Sequence, residues 1–262
     1  MLIITFVFSA FLSIRILETA ASFSFFSKNL RILTSLFKYL EKSFQLGNVA
    51  ASNLIGNMYY EGIYPLEKNI DKAIEYYKIA LDNNYAYAMN NMGKIKEEQG
   101  LLKEAYDYYK MSADLGESWA CNKMGEYYRA INRDMKKAYY YYNRSLDSNC
   151  RVVCYYAYYN LAIYFYKNGY DTINRDLNKY INYLELASSN GVLMATMELF
   201  YYYCDEYLIK KDEYDKKKIY YYKECIEANK GYTDELREEI DKKLKDIVLK
   251  NGINIDCIVE VN

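Results

Sequence analysis

The sequence predicts an all-α protein, a right-handed α-solenoid superhelix of stacked antiparallel helix pairs. Three observations predict it. First, "KAIEYYKIALDNN" at 72–84 returns as "EAYDYYKMSADLG" at 104–116 and "KAYYYYNRSLDSN" at 137–149. Weaker echoes follow as "KYINYLELASSNG" at 179–191 and "KKIYYYKECIEAN" at 217–229, at intervals of 32 to 42 residues. A block recurring at such a period marks a repeat array, because one unit cannot bury its apolar face without a neighbour. Second, Ala73, Tyr76, Tyr77, Ala80 and Leu81 fall on one helical stripe. Third, the chain contains a single Pro, which suits uninterrupted helices.

The elements follow in chain order. Residues 1–28 carry two readings. "LIITFVFSAFLSI" at 2–14 is uncharged and too short to span a bilayer, which takes about 20 residues. With "TAAS" at 19–22 as a cleavage site it fits a signal peptide. The other reading is the first helix of a degenerate repeat, and "YLEKSFQLGN" at 39–48 has the ending of a second helix. The array is expected over 29–231, as about five repeats plus a partial first one. Each first helix carries Ala, then a large apolar residue four later, often with Gly next: Ala51/Ile55/Gly56, Ala88/Met92/Gly93, Ala120/Met124/Gly125 and Ala157/Leu161, with Ala195/Leu199 looser. Gly within a helix costs about 1 kcal/mol against Ala, so its recurrence implies close packing. Each second helix is expected to begin near Asn69, Asp134, Asp176 or Asp215, all capping types. Each is expected to end on a left-handed residue: Asn84, Gly116, Asn149, Gly191 or Asn229. Residues 167–175 and 205–214 read as longer turns. Residues 232–250 read as a capping helix with a Leu236, Ile240, Leu244 stripe and an otherwise charged surface. Residues 251–262 form a tail.

The pattern A-x-x-x-[LIM]-G-x-x-[YF] in the first helix and K-A-x-x-Y-Y-x-x-[AS] in the second resembles the Sel-1-like repeat, a relative of the tetratricopeptide repeat. "ASNLIGNMYYEG" and "DKAIEYYKIA" fit it closely, and the resemblance covers about 40–230. Ala162 and Phe200 depart from it, standing where Gly is expected. The resemblance implies a non-catalytic scaffold or adaptor binding a protein partner or peptide segment in a concave groove, some relatives serving endoplasmic-reticulum quality control. Some bacterial relatives have been linked with hydrolase activity, and that remains the less favoured alternative.

The residue inventory narrows the chemistry. There is no His, so neither a Ser-His-Asp nor a Cys-His arrangement can be built, and no His-ligated metal site. No cofactor, metal site or small-molecule substrate is expected. The 34 basic and 35 acidic residues nearly balance, which gives no basis for expecting nucleic acid as a partner. Neither phosphate-cradling glycine loop appears. Adjacent carboxylates, such as Glu97–Glu98 and Glu238–Glu239, point about 100° apart on a helix and do not converge as a glycosidase pair must. Cys121, Cys150, Cys154, Cys204, Cys225 and Cys257 contain no C-x-x-C and read as reduced, buried thiols. The expected location is therefore cytoplasmic, with secretion or the endoplasmic-reticulum lumen as the alternative if residues 1–21 are a signal peptide. The 35 Tyr, together with many Asn, Lys and Ile, reflect AT-rich codons, and the tyrosine runs are expected to pack between repeats.

A binding surface follows from helical geometry and the resemblance. Positions two, six and nine after the marker Ala lie about 200°, 240° and 180° from it, opposite the buried face. In related superhelices the first helix lines the concave side. The expected groove residues are Asn53, Asn57 and Tyr60; Asn90, Lys94 and Glu97; Asn122, Glu126 and Arg129; and Tyr159, Ile163 and Tyr166. An Asn row at the second position is suited to clasping a peptide main chain, because an amide both donates and accepts.

Overall fold

The computed structural model describes residues 20–147, 154–229 and 231–251, with the side chains of 20–28, 248 and 251 left aside. Among the described residues the chain is all α-helical, with no strand. It divides into two compact units at Leu115 and Gly116. The first unit holds α1 (Ala20–Gln45), α2 (Val49–Glu61), α3 (Ile70–Asp82), α4 (Ala86–Glu98) and α5 (Leu102–Asp114). The second holds α6 (Ser118–Ala130), α7 (Met135–Ser145), α8 (Tyr155–Leu161), α9 (Leu177–Ser189), α10 (Leu193–Lys210), α11 (Glu213–Glu227) and α12 (Asp234–Asn251). A π-helical turn, Ala162–Tyr166, extends α8. Five helix pairs result: α2 with α3, α4 with α5, α6 with α7, α8 with α9, and α10 with α11.

Within a pair, the seam is set by one small and one large residue. A Cβ added at Gly56, Gly93 or Gly125 would lie 2.6, 2.6 or 2.5 Å from the ring of Tyr77, Tyr109 or Tyr142. Each tyrosine ring packs directly against the glycine and is fully buried, or nearly so. The marker alanines Ala51, Ala88, Ala120, Ala157 and Ala195 are all buried. In the fourth pair Ala162 replaces the Gly, and Leu184 stands where the first three pairs carry Tyr. The narrower side chain makes room for the extra methyl.

The fifth pair differs from the expected alignment by one residue. Tyr59 stacks on Tyr76, and Tyr128 on Tyr141. The corresponding stack in the fifth pair joins Tyr203 to Tyr222, at 5.7 Å and 13°. The caps agree, since the Asn229 N–H bonds to Ile226 as the Asn83 N–H bonds to Ala80. Tyr222 therefore matches Tyr76, and Lys223 takes the place of Tyr77. The large buried residue has moved to the first helix, as Phe200.

Helix ends follow the capping chemistry in most copies. Asn69, Asp134 and Asp176 each accept from the backbone N–H three residues on. Asn84, Gly116 and Gly191 adopt positive φ. Two expectations are corrected. Asp212, not Asp215, caps α11, because the helix begins earlier and carries Asp215 into its first turn. Asn229 is not left-handed. The segment 205–210 continues α10 and is not a turn, whereas 167–176 is irregular as expected. Asn149, Cys150, Cys257 and residues 1–19 lie outside the described residues. Cys121, Cys154, Cys204 and Cys225 are free thiols.

The serine of the K-A-x-x-Y-Y-x-x-[AS] pattern ties the two helices of a pair together. Ser112 donates to the Ala86 carbonyl at 2.8 Å, and Ser145 donates to that of Ser118 at 2.7 Å. Both acceptors lie two residues before the marker Ala, in the first turn of the first helix.

Candidate functional site

The first helices carry the expected groove positions, and each unit presents its own face. In the first unit, Asn91 of α4 donates to the side-chain oxygens of Asn53 and Asn57 on α2, at 3.0 and 2.9 Å. Asn57 also accepts from the Tyr77 hydroxyl at 2.7 Å. Around these groups lies a small pocket of about 110 Å³, lined by Asn57, Tyr60, Glu61, Tyr77, Asn91 and Lys94. Lys94 sits 4.5 Å from the centre of the Tyr60 ring and 3.7 Å from Glu61. The Tyr60 hydroxyl donates to Glu98. Glu97 accepts from Tyr109 at 2.7 Å. Asn90 is half-buried, and its carbonyl oxygen has no hydrogen-bond partner. Burial pushes the Tyr77 hydroxyl well above its ordinary pKa of 10.0.

In the second unit, Asn160 of α8 donates to Asn122 of α6 at 3.0 Å, and Asn122 donates to Glu126 at 3.0 Å. Lys123 is 3.5 Å from Glu126. Arg129 lies 4.2 Å over the Tyr164 ring. Tyr159 and Ile163 are half-buried, and Tyr166 is bonded to the Tyr139 hydroxyl at 3.2 Å.

The structure thus gathers Asn57, Tyr60 and Lys94 around one pocket but corrects the open-groove picture for four residues. Asn53, Asn122, Tyr60 and Tyr166 are only 4%, 2%, 8% and 4% exposed. An isolated helix would leave their side toward solvent, yet here Asn53, Asn122 and Tyr60 bond the next first helix, and Tyr166 packs against Tyr139 and Tyr183 of the second helices α7 and α9. Two of the amides expected to clasp a peptide, Asn53 and Asn122, accept from Asn91 and Asn160 instead. Asn91 and Asn160, which make those bonds, were not among the expected residues. Their signal was present, since each stands 38 residues from its partner, the same interval in both units. Tyr77 and Glu61 were missed because they lie on a second helix and beyond the chosen positions.

Among the described residues, no group of three or more His, Cys, Asp or Glu is placed to hold a metal ion. None of the helices described is long and apolar enough to cross a membrane.

Antiparallel helix pairs with a glycine-tyrosine seam and first helices linked by buried asparagines define a helical-repeat protein. The model of the Sel1 repeat matches four consecutive segments, 49–85, 86–117, 120–150 and 156–192, together more than half of the sequence. The chain belongs to the Sel1 repeat family. Among solved structures it is similar to a Sel1 repeat protein from Oxalobacter formigenes, with TM-score 0.60 and 22% identity, over 73% of this chain and 77% of that one. It is also similar to a protective antigen of uropathogenic Escherichia coli with an SLR fold, at TM-score 0.57 and 18% identity over 73% of this chain. The match spans only 40% of the length of that antigen. An immunity protein of Pseudomonas aeruginosa aligns at TM-score 0.51 and 18% identity, over 73% of this chain and 71% of that one. At these identities the likeness concerns the fold. No curated protein matches the sequence.

Proposed function

We propose that the chain is a non-catalytic interaction scaffold that holds an extended segment of a partner protein against the polar face of its first helices. Family membership supports the scaffold role, since Sel1 repeats generally serve protein interaction. The observation that carries the groove reading is the pocket between α2 and α4. It is too small for a drug-sized ligand, which needs roughly 300 Å³ or more, but of a size for one side chain. Its lining mixes an ammonium, a carboxylate, two amides and two phenols. Such a mixture suits a polar peptide side chain with flanking main chain.

The test starts from peptides selected out of a displayed random library against the purified chain. Hydrogen exchange is then followed with and without the selected peptide. Protection concentrated in α2 and α4, with α3 and α5 unchanged, is the expected result. Protection confined to α3 and α5 would place binding on the other face and end the groove reading.

A further inference from the structure

Three helix pairs share one architecture at the seam, and only one leaves it chemically incomplete. In the first pair the Tyr77 hydroxyl donates to Asn57, six residues after the marker Ala. In the second pair Tyr109 donates to Glu97, nine residues after its marker. The equivalent hydroxyl in the third pair is that of Tyr142, which is 0% exposed and lies against the Arg129 guanidinium, with no acceptor for its O–H. The two positions that supply acceptors elsewhere are occupied here by Glu126 and Arg129. Glu126 is already engaged by Asn122 and Lys123. Arg129 puts a cation where the second pair has a carboxylate, and its Nε is also buried without a partner. The Tyr142 oxygen can accept from the guanidinium beside it, so the groups left without an acceptor are the Tyr142 O–H and the Arg129 Nε–H. A buried unpaired donor is costly, and one beside a guanidinium is best satisfied by an anion.

We propose that Arg129 and Tyr142 form a carboxylate-binding subsite on the α6 face of the second unit. This rests on the scaffold reading above and deepens it, naming the group that a partner segment must present. The ligand is an acidic side chain or a C-terminal carboxylate. Arg129 is suited to the task because its guanidinium, 4.2 Å from the centre of the Tyr164 ring, presents a rigid fork of N–H donors. The other ionisable groups at the site are Glu126, Tyr159 and Tyr164. Glu126 contributes negative charge, so the ligand carboxylate must bond both donors to prevail over that repulsion.

The experiment uses the full chain and three capped peptide pools of equal length. One pool has free C-terminal carboxylates and no Asp or Glu. The second is amidated and contains one Asp or Glu. The third is amidated and has no acid. Binding is read from the Arg129 Nε–H resonance and from the dissociation constant. Saturable shifts with the first pool alone identify a chain terminus, and with the second alone an acidic side chain. Either outcome supports the subsite. Arg129→Gln is expected to weaken the responding pool by about tenfold or more, the loss typical of a charge-assisted bond. Tyr142→Phe is expected to weaken it less, with helix content unchanged. Equal shifts with the acid-free pool, no saturation with any pool, or full affinity in Arg129→Gln would overturn the proposal. Peptides that still protect α2 and α4 after that result would leave the scaffold reading standing. A responding Arg129 with no such protection would remove the α2–α4 groove and keep the subsite.

Discussion

At the residue scale, the tyrosines do more than fill space. Several phenol tips donate to carboxylates on a neighbouring helix: Tyr60 to Glu98, Tyr109 to Glu97, Tyr180 to Glu198, Tyr201 to Glu239 and Tyr222 to Glu185. Their rings lie in the seams while the hydroxyls reach the rim, which is the use to which an amphipathic aromatic is suited. Codon bias explains why tyrosine was available, but not this pairing. The seam gives a direct prediction at Gly93. Leu there should cost about 1–3 kcal/mol by overpacking, measured by urea denaturation. The natural Ala162 and Leu184 combination predicts a partial rescue: Gly93→Ala should be destabilising alone and less so beside Tyr109→Leu. Additive losses in that double-mutant cycle would show that the two residues do not share the seam. Protonation gives a second prediction. Burial raises the pKa of Tyr77, Tyr142, Tyr180 and Tyr222 above the ordinary value of 10.0. It also pushes the Cys154 thiol up to about 11 and the Cys204 thiol up to about 12, from 9.0. The folded state favours the neutral form in every case. Their contribution is therefore complete below pH 9 and is lost as pH climbs past 9 to 10 toward the folded values. Denaturation midpoints should be flat with respect to these groups between pH 7 and 9 and fall above pH 10. A midpoint that rises above pH 10 would contradict the burial of these groups.

At the element scale, helix type, pairing and order were legible because each helix repeats the same stripe and the same caps. The Gly-Tyr contact was also legible as a recurring small residue whose presence needed a packing reason. Two features were not. The tyrosine run at 220–222 offers the same letter at three successive positions, so the register of α11 was ambiguous until the Tyr203–Tyr222 stack fixed it. The π-helical turn at Ala162–Tyr166 leaves no mark in the pattern, because apolar and aromatic residues suit either winding. Capping supplies the test at this scale. Asp134→Ala removes the acceptor for the Lys137 N–H, 3.0 Å away, and should cost about 1 kcal/mol. Asp134→Asn should recover most of that loss. If alanine and asparagine behave alike in the same denaturation assay, the cap contributes nothing.

At the scale of the whole molecule, the candidate site was only partly readable. Turning a single helix picked out Asn57, Tyr60 and Lys94, which line one pocket, yet Asn57 bonds Tyr77 and Glu97 bonds Tyr109 on the partner helices. It failed for Asn53 and Asn122 because the next first helix of the same unit covers each of them, and a wheel drawn for one helix omits that neighbour. What survives is the rim of the first unit, where Asn57, Lys94 and Glu61 surround a polar pocket. The central claim is that this rim recognises a partner segment. Its most direct measurement is the dissociation constant of a library-selected peptide for the parent chain and for the double variant Glu61→Ala/Lys94→Ala. The two charges are partly exposed and pair with each other, so removing both leaves no unpaired charge in the core and should leave the melting temperature unchanged. The account predicts binding weaker by about tenfold or more, the loss expected when contacts at a binding hot spot are removed. Unchanged affinity in a fully folded double variant would contradict it.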